Sequence, residues 1–242
     1  MTIPEQHSRT VLFTGEENFI KLQKAHVLIT GLGGVGAYAA EQIVRAGIGN
    51  VTVVDSDCVS KSNINRQLIA LHSEIGKRKV DVTEKRLKDI NPEAVIRKKH
   101  IFVTHENVES LFSDCKYDFV IDATDTLMPK VNIIKKTLDY GIPLVSSMGA
   151  GGRSDPEKVQ IADIADTYNC GLARMLRKRL HKFGIRNGFK AVFSYEKVEK
   201  NKIIEENGRN KKTNVGTISY MPAIFGMFCA SVVIRDLISA SD

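Results

Sequence analysis

Several absences narrow the possibilities for this chain before any motif is read. It has no long uninterrupted apolar run. The longest strongly apolar stretch near its end, Met221 to Ile234, contains Pro222 and Gly226 and falls short of the roughly 20 residues that cross a bilayer. No basic-then-apolar leader opens the chain, so a cytoplasmic location is expected. Cysteine is scarce and scattered: Cys58, Cys115, Cys170 and Cys229 form no C-x-x-C pair, which argues against a zinc clamp or a dithiol redox motif. Free thiols are expected instead. Cys229, among Phe225, Met227, Phe228, Val232, Val233 and Ile234, reads as buried in a core or subunit interface rather than as an acyl or sulfur carrier. If that last helix were exposed, it would touch a membrane surface.

Acidic residues are also missing between Thr167 and Tyr195, a window that holds Arg174, Arg177, Lys178, Arg179, Lys182, Arg186 and Lys190. The rest of the composition is that of an ordinary globular chain of 242 residues, 43% hydrophobic and 26% charged. Its net charge of +7 is uneven: from Gly151 onward 16 Lys and Arg face 10 Asp and Glu, hence +6, which leaves +1 for the first 150 residues. A one-signed block of this kind attracts polyanions. Arg177, Lys178 and Arg179 are consecutive, however, so they fan around a helix and cannot all share one face.

Along the chain, an arm over residues 1–24 ends in an amphipathic helix around Glu16 to Lys24. The apolar run Ala25 to Thr30 then feeds into glycines, as a buried parallel strand does. Helix (Gly34 to Ala46), strand (Val51 to Val54), helix (Gly76 to Ile90, stopped at Asn91-Pro92) and strand (Ala94 to His100) follow. A short helix near Glu106 to Phe112, strand Asp118 to Ile121, helix Met128 to Tyr140 and strand Ile142 to Ser146 complete the pattern. This alternation predicts an α/β, doubly wound, mostly parallel sheet over residues 25–150, with ligands at the carboxyl ends of the strands. Residues 151–242 read as a C-terminal α+β extension of the same fold. It comprises strand Val159 to Asp163, basic helix Cys170 to Lys182, strand Ala191 to Ser194, a mobile polar loop over Glu196 to Asn214, and an apolar helix.

The run Gly31-Leu32-Gly33-Gly34-Val35-Gly36, between a strand and a helix, is a phosphate-binding turn. Alone it cannot separate NAD, FAD and ATP. Asp55, ending the next strand, is placed to accept hydrogen bonds from ribose hydroxyls, which also suits NAD. Asp57, Asn63, Arg66, Gln67 and Lys79 come next, and they tip the balance. A dinucleotide pyrophosphate carries two charges and needs little beyond backbone amides, whereas a triphosphate carries about four and is usually met by Arg and Lys. Asp125, beyond the strand that ends near Asp122, would repel phosphates unless it holds Mg²⁺ that bridges their oxygens. The combination favours ATP with Mg²⁺.

These residues, with Asp55-x-Asp57, Ser62-Asn63-x-x-Arg66-Gln67, Lys79 and Asp122-x-x-Asp125, resemble the adenylating superfamily of ubiquitin-activating enzymes and the bacterial proteins MoeB and ThiF. The resemblance implies a Rossmann-like fold and a ribose role for Asp55. It further implies phosphate contacts from Asn63, Arg66, Gln67 and Lys79, and Mg²⁺ on Asp125. It also implies a homodimer in which Arg9, in Ser8-Arg9-Thr-Val-Leu-Phe-Thr-Gly15, reaches the neighbouring site. The two C-x-x-C zinc pairs of MoeB and ThiF are absent. Several stretches are similar instead to the branch of tRNA threonylcarbamoyladenosine dehydratases: Asp122-Ala-Thr-Asp125-Thr-Leu-Met-Pro129-Lys130, Gly149-Ala-Gly151-Gly152-Arg153-x-Asp155-Pro156, Val192-Phe193-Ser194 with Glu196, and the basic Leu172 to Leu180.

That branch implies a tRNA substrate whose modified adenosine, beside the anticodon, bears a threonylcarbamoyl group with a free carboxylate. ATP would turn the carboxylate oxygen into a leaving group. The tethered urea-like oxygen or nitrogen would then close a ring with net loss of water, and the tether itself supplies a large effective molarity. Arg66, Lys79, Mg²⁺ on Asp125, and Arg9 from the partner subunit would neutralise the charge on the phosphates. Lys130 is a further candidate near the substrate, or else a solvated helix lysine. The basic helix, with Arg174, Arg177, Lys178, Arg179, Lys182 and Arg186, would contact tRNA phosphates in a salt-dependent way. The resemblance leaves open a monovalent cation (Na⁺ or K⁺) and sulfur-relay protein partners. The competing expectation is adenylation of the C-terminus of a small ubiquitin-like sulfur carrier.

Overall fold

The computed structural model describes residues 3–205 and 213–239. Two helices open it, α1 (Ser8–Thr14) and α2 (Glu16–Lys24), and β1 (His26–Thr30) leads into the glycine run and α3 (Gly36–Arg45). Then come β2 (Asn50–Val54), α4 (Lys79–Ile90), β3 (Val95–Lys99), α5 (Val108–Ser113), β4 (Phe119–Asp122), α6 (Leu127–Asp139) and β5 (Leu144–Ser147). The remainder is β6 (Val159–Asp163), α7 (Gly171–Leu180), β7 (Lys190–Ser194), the short strands β8 (Ile203–Glu205) and β9 (Thr213–Val215), and α8 (Tyr220–Ser239).

Seven strands form one sheet in the order β3-β2-β1-β4-β5-β7-β6, with only β6 antiparallel to its neighbour. The chain therefore winds outward from β1 to β3, then returns to lay β4 on the other side of β1. That reversal opens a crevice between the carboxyl ends of β1 and β4, the place where open α/β sheets bind ligands. The strands alternate as a two-faced sheet must. Val27 and Ile29, Phe119 and Ile121, and Val192 join α3, α4 and α8 in one core. Leu28, Val120, Ala191 and Phe193 join α5, α6 and α7 in the other.

The sequence expectations fail at three places. The arm before Glu16 carries a helix of its own that was not expected: residues 8–14 are helical and leave Leu12 and Phe13 88% and 86% exposed. The polar stretch from Glu196 is not featureless, because β8 and β9 pair antiparallel; residues 206–212 lie outside the described residues. The final helix runs 20 residues, longer than the apolar stretch Met221 to Ile234, and is apolar enough by composition to span a bilayer. Half of that apolar window is buried, so it reads as a core helix. Gly226 explains how closely α8 seats on α3: a Cβ there would lie 2.4 Å from the Val35 carbonyl oxygen.

Candidate functional site

The glycines of the first loop serve two different purposes. Gly31 has φ of +83°, and a Cβ on it would stand 2.7 Å from the carbonyl oxygen of Ala123 beyond β4. A Cβ on Gly36 would stand 1.7 Å from the Gly31 carbonyl oxygen, and one on Gly34 2.8 Å from Cβ of Pro222 in α8. These three are required by the fold itself. Gly33 is different. A Cβ there would meet nothing nearer than Nε2 of Gln67, at 3.8 Å. The protein leaves that space open, in the turn that leads into the N-terminus of α3, where free amides and the helix dipole suit an anion.

Asp55 anchors the loop from below. Buried at the end of β2, it accepts hydrogen bonds from the Leu32 amide (2.6 Å) and the Asp57 amide (2.8 Å). Burial raises its pKa above the usual carboxylate value, and the Lys79 ammonium offsets part of that rise. Lys79 begins α4. Its amide donates to the Asp57 carbonyl, and the neighbouring Cys58–Arg78 bridge brings the helix start beside the glycine loop. Its Nζ lies 2.8 Å from Oδ2 of Asp57, with the lysine side chain 6% exposed and the aspartate 65%.

The turn between Asp57 and α4 supplies the rest of this side. Asn63 is buried, its Oδ1 accepting from the Ser60 amide while Ser60 reciprocally caps the turn. Arg66 is half-buried, donating from Nη1 to the Ser62 carbonyl (2.9 Å) and Oδ1 of Asn65 (2.8 Å). Gln67 is buried next to Gly33, and its Oε1 accepts no hydrogen bond. A buried acceptor without a donor is costly, so an open glycine beside an unsatisfied amide oxygen fits a site shaped for a polar ligand.

Across the crevice stands a closed polar cluster. Asp122, at the end of β4, pairs with Lys130 of α6 at 2.6 Å, both side chains fully buried. Lys130 also donates to Oγ of Ser146 (3.0 Å) and the Ser147 carbonyl (2.9 Å), and Ser146 and Thr124 hydroxyls donate to Asp122. Lys130 is thus no solvated helix lysine, because its ammonium is fully enclosed. Asp125 follows Thr124 and is exposed at the rim, its Oδ1 accepting from the Thr126 hydroxyl. Among the described residues no three His, Cys, Asp or Glu side chains gather into a metal cage. A cation held by Asp125 jointly with phosphate oxygens is the arrangement such a rim allows.

The other predicted residues lie apart from this cluster. Arg9 is exposed on α1, beside the bare Leu12 and Phe13. Arg174, Lys178, Arg179, Lys182 and Arg186 are exposed on and after α7. Arg177 departs from that set: its guanidinium turns back to the Thr167 carbonyl (2.8 Å) and the Thr167 hydroxyl. An arginine seven positions beyond Cys170 on a helix with buried Ala173, Leu176 and Leu180 sits at the edge of the buried face, which is why it is drawn inward.

Two features were not assigned a role from the sequence. Arg153, buried, donates to the carbonyls of Gly149, Gly151 and Ser194, and Glu196 accepts from the amides of Ser154 and Asp155. Together they fix the loop after β5. A charged residue directly behind a glycine pair was the available signal.

The ThiF family model matches residues 7–241. The tRNA threonylcarbamoyladenosine dehydratase of Bacillus subtilis (strain 168) is 39% identical over 241 residues, spanning 96% of this chain and 94% of that protein. The crystal structure of E. coli tRNA N6-threonylcarbamoyladenosine dehydratase in complex with ATP superposes with a TM-score of 0.89 at 33% identity, covering 99% of this chain and 98% of that one. The same enzyme in complex with AMP gives the same values.

Proposed function

This chain belongs to the ThiF family, and from that premise we infer that it uses ATP to dehydrate the threonylcarbamoyl group of N6-threonylcarbamoyladenosine in tRNA. The observation that carries the reading is the crevice between β1 and β4. The open Gly33, with the side-chain amide nitrogen of Gln67 as its nearest neighbour, lies there, and two cations, Arg66 and Lys79, stand on the β2 side. The relatives that match nearly the whole chain are dehydratases of this kind, and one has been crystallised with ATP.

Under this reading the glycine-loop amides, Asn63, Arg66, Gln67 and Lys79 hold the phosphates, and Asp55 holds the ribose. Asp125 would hold Mg²⁺ against phosphate oxygens. ATP, when bound, supplies the group that turns the substrate carboxylate's oxygen into a leaving group. The residues of the chain position and neutralise: Lys79 and Arg66 meet charge that builds as the carboxylate oxygen attacks. The fixed loop after β5 keeps the threonylcarbamoyl arm folded so that its own oxygen or nitrogen reaches the activated carbonyl. We assign nucleotide binding to residues 25–150 and tRNA binding to residues 151–242, with the basic α7 on the phosphate backbone. The exposed Arg9, Leu12 and Phe13 suit a homodimer contact near the partner's site. A monovalent cation, sulfur-relay partners and a cytoplasmic location accord with this role.

The test is mass spectrometry of tRNA nucleosides after incubation with the protein, ATP and Mg²⁺. The modified adenosine should become lighter by one water, and an Asp125→Ala variant should leave its mass unchanged. An unaltered mass with the wild-type protein overturns the reading. Carrier-dependent pyrophosphate exchange would instead point to sulfur-carrier activation.

A further inference from the structure

We propose that Tyr168, backed by Tyr195, is a stacking platform for an unpaired nucleobase of the tRNA anticodon loop; this rests on the tRNA reading above. Tyr168 is 48% exposed, between the basic helix α7 and the loop after β5. Its ring lies nearly parallel to that of Tyr195, with centroids 5.7 Å apart and planes 22° apart, and edge-on to the buried Phe193. An exposed aromatic is unremarkable on its own. Here, however, the backbone on both sides of it is fixed by unusual means.

On one side, Thr167 is buried, its hydroxyl donates to the Ile164 carbonyl, and its own carbonyl accepts from Arg177. On the other, Asn169 adopts φ of +52°, the one positive value among described residues other than glycine. Its side-chain amide donates to the Tyr195 carbonyl at 3.0 Å, and its carbonyl faces Nη2 of the buried Arg153 at 3.5 Å. Two arginines and a left-handed asparagine thus hold in place a residue whose ring contributes little to the core. A left-handed residue next to an exposed aromatic fixes the direction in which that ring is presented.

The position suits the role. The carboxyl ends of β4, β5 and β7 follow one another along the rim, carrying Asp125, the Gly149 to Arg153 loop and Tyr195 in turn. Two strand spacings, about 10 Å, separate the β4 rim from β7. A base stacked on Tyr168 would therefore lie within reach of the crevice, while its flanking phosphates meet Arg174 and Lys178 on α7. Recognition of RNA loops characteristically splays out unpaired bases onto aromatic faces of this kind.

Because the chain contains no tryptophan, Tyr168→Trp places a single indole at the platform. Its emission should be quenched, saturably, by tRNA carrying the modified adenosine. Tyr168→Ala should raise KM for that tRNA on the order of tenfold, with the salt dependence of binding and the unfolding midpoint unchanged. Tyr168→Phe should restore KM toward wild type, because stacking needs the ring and not the hydroxyl. Lys178→Ala, by contrast, should flatten the salt dependence. A KM within about twofold of wild type for Tyr168→Ala, together with unquenched indole emission in the bound complex, overturns the platform. If the wild-type protein leaves tRNA unaltered yet the indole is quenched, the dehydration reading falls and the platform stands.

Discussion

Two aspartate–lysine pairs stand on opposite sides of β1 at the carboxyl end of the sheet, and their surroundings differ sharply. Asp122 and Lys130 are 2.6 Å apart and fully enclosed, with every neighbouring donor and acceptor engaged. Asp57 and Lys79 are 2.8 Å apart, but the aspartate is largely in water. The first pair ties β4, β5 and α6 together and has no room for an exchange of partners. The second holds a nearly buried ammonium against a carboxylate that solvent already contests, so a phosphate oxygen can take that carboxylate's place. The same two residue types make a strut on one side and a poised cation on the other.

The largest effect expected from breaking this contrast is on stability. Lys130→Met leaves Asp122 buried without its cation, and one-sided removal of a buried pair costs about 3–5 kcal/mol. Urea denaturation should show a loss of that size, and Asp122→Leu combined with Lys130→Met should recover much of it. Unchanged stability in the single variant would mean that the pair ties nothing together.

Lys79→Met should do the reverse. Its partner is exposed, so losing the pair should cost no more than about 1 kcal/mol. Loss of a charge-stabilising donor at the reacting phosphates should lower turnover on the order of 10²–10³-fold. Turnover measured beside urea denaturation separates the two lysines. A Lys79→Met protein that unfolds easily, or works well, would erase the distinction.

How much of this contrast could be read from sequence follows from what sequence patterns encode. The β1 to β5 alternation was legible because short strand-like runs alternate with segments of helical spacing, but the order of the strands in the sheet comes from the structure alone. The places of Asp55, Lys79 and Asp125 in the fold were legible because each follows a strand or opens a helix. The enclosure of Lys130 was not, because it depends on Ser146 and Asp122, which the chain brings together only through the β4–β5 pairing. The inward turn of Arg177 was not legible for a related reason: its partner, the carbonyl of Thr167, is brought beneath the helix only by the fold. The helix α1 was missed because seven residues carry too little periodicity to register.

The smallest expected effect concerns Asp55, the buried carboxylate of the open side, which has no enclosed cation like that of Asp122. Its folded pKa lies above the ordinary value of 3.8, mainly through burial, with Lys79 pulling it partly back. Between the ordinary value and the raised one, the native state therefore binds more protons than the unfolded chain, and linkage makes stability fall as pH rises through that window. Above the raised value the penalty is complete and the contribution becomes flat. The difference in unfolding free energy between wild type and Asp55→Asn, followed by urea denaturation from roughly pH 4 to pH 7, isolates this slope from the other carboxylates. Lys79→Met should extend the sloping window upward, because removing the ammonium lets burial raise the Asp55 pKa further. A window that stays put in the Lys79→Met background would mean that Lys79 does not act on Asp55 across the site, and that the two sides of β1 differ only in exposure and not in electrostatic coupling.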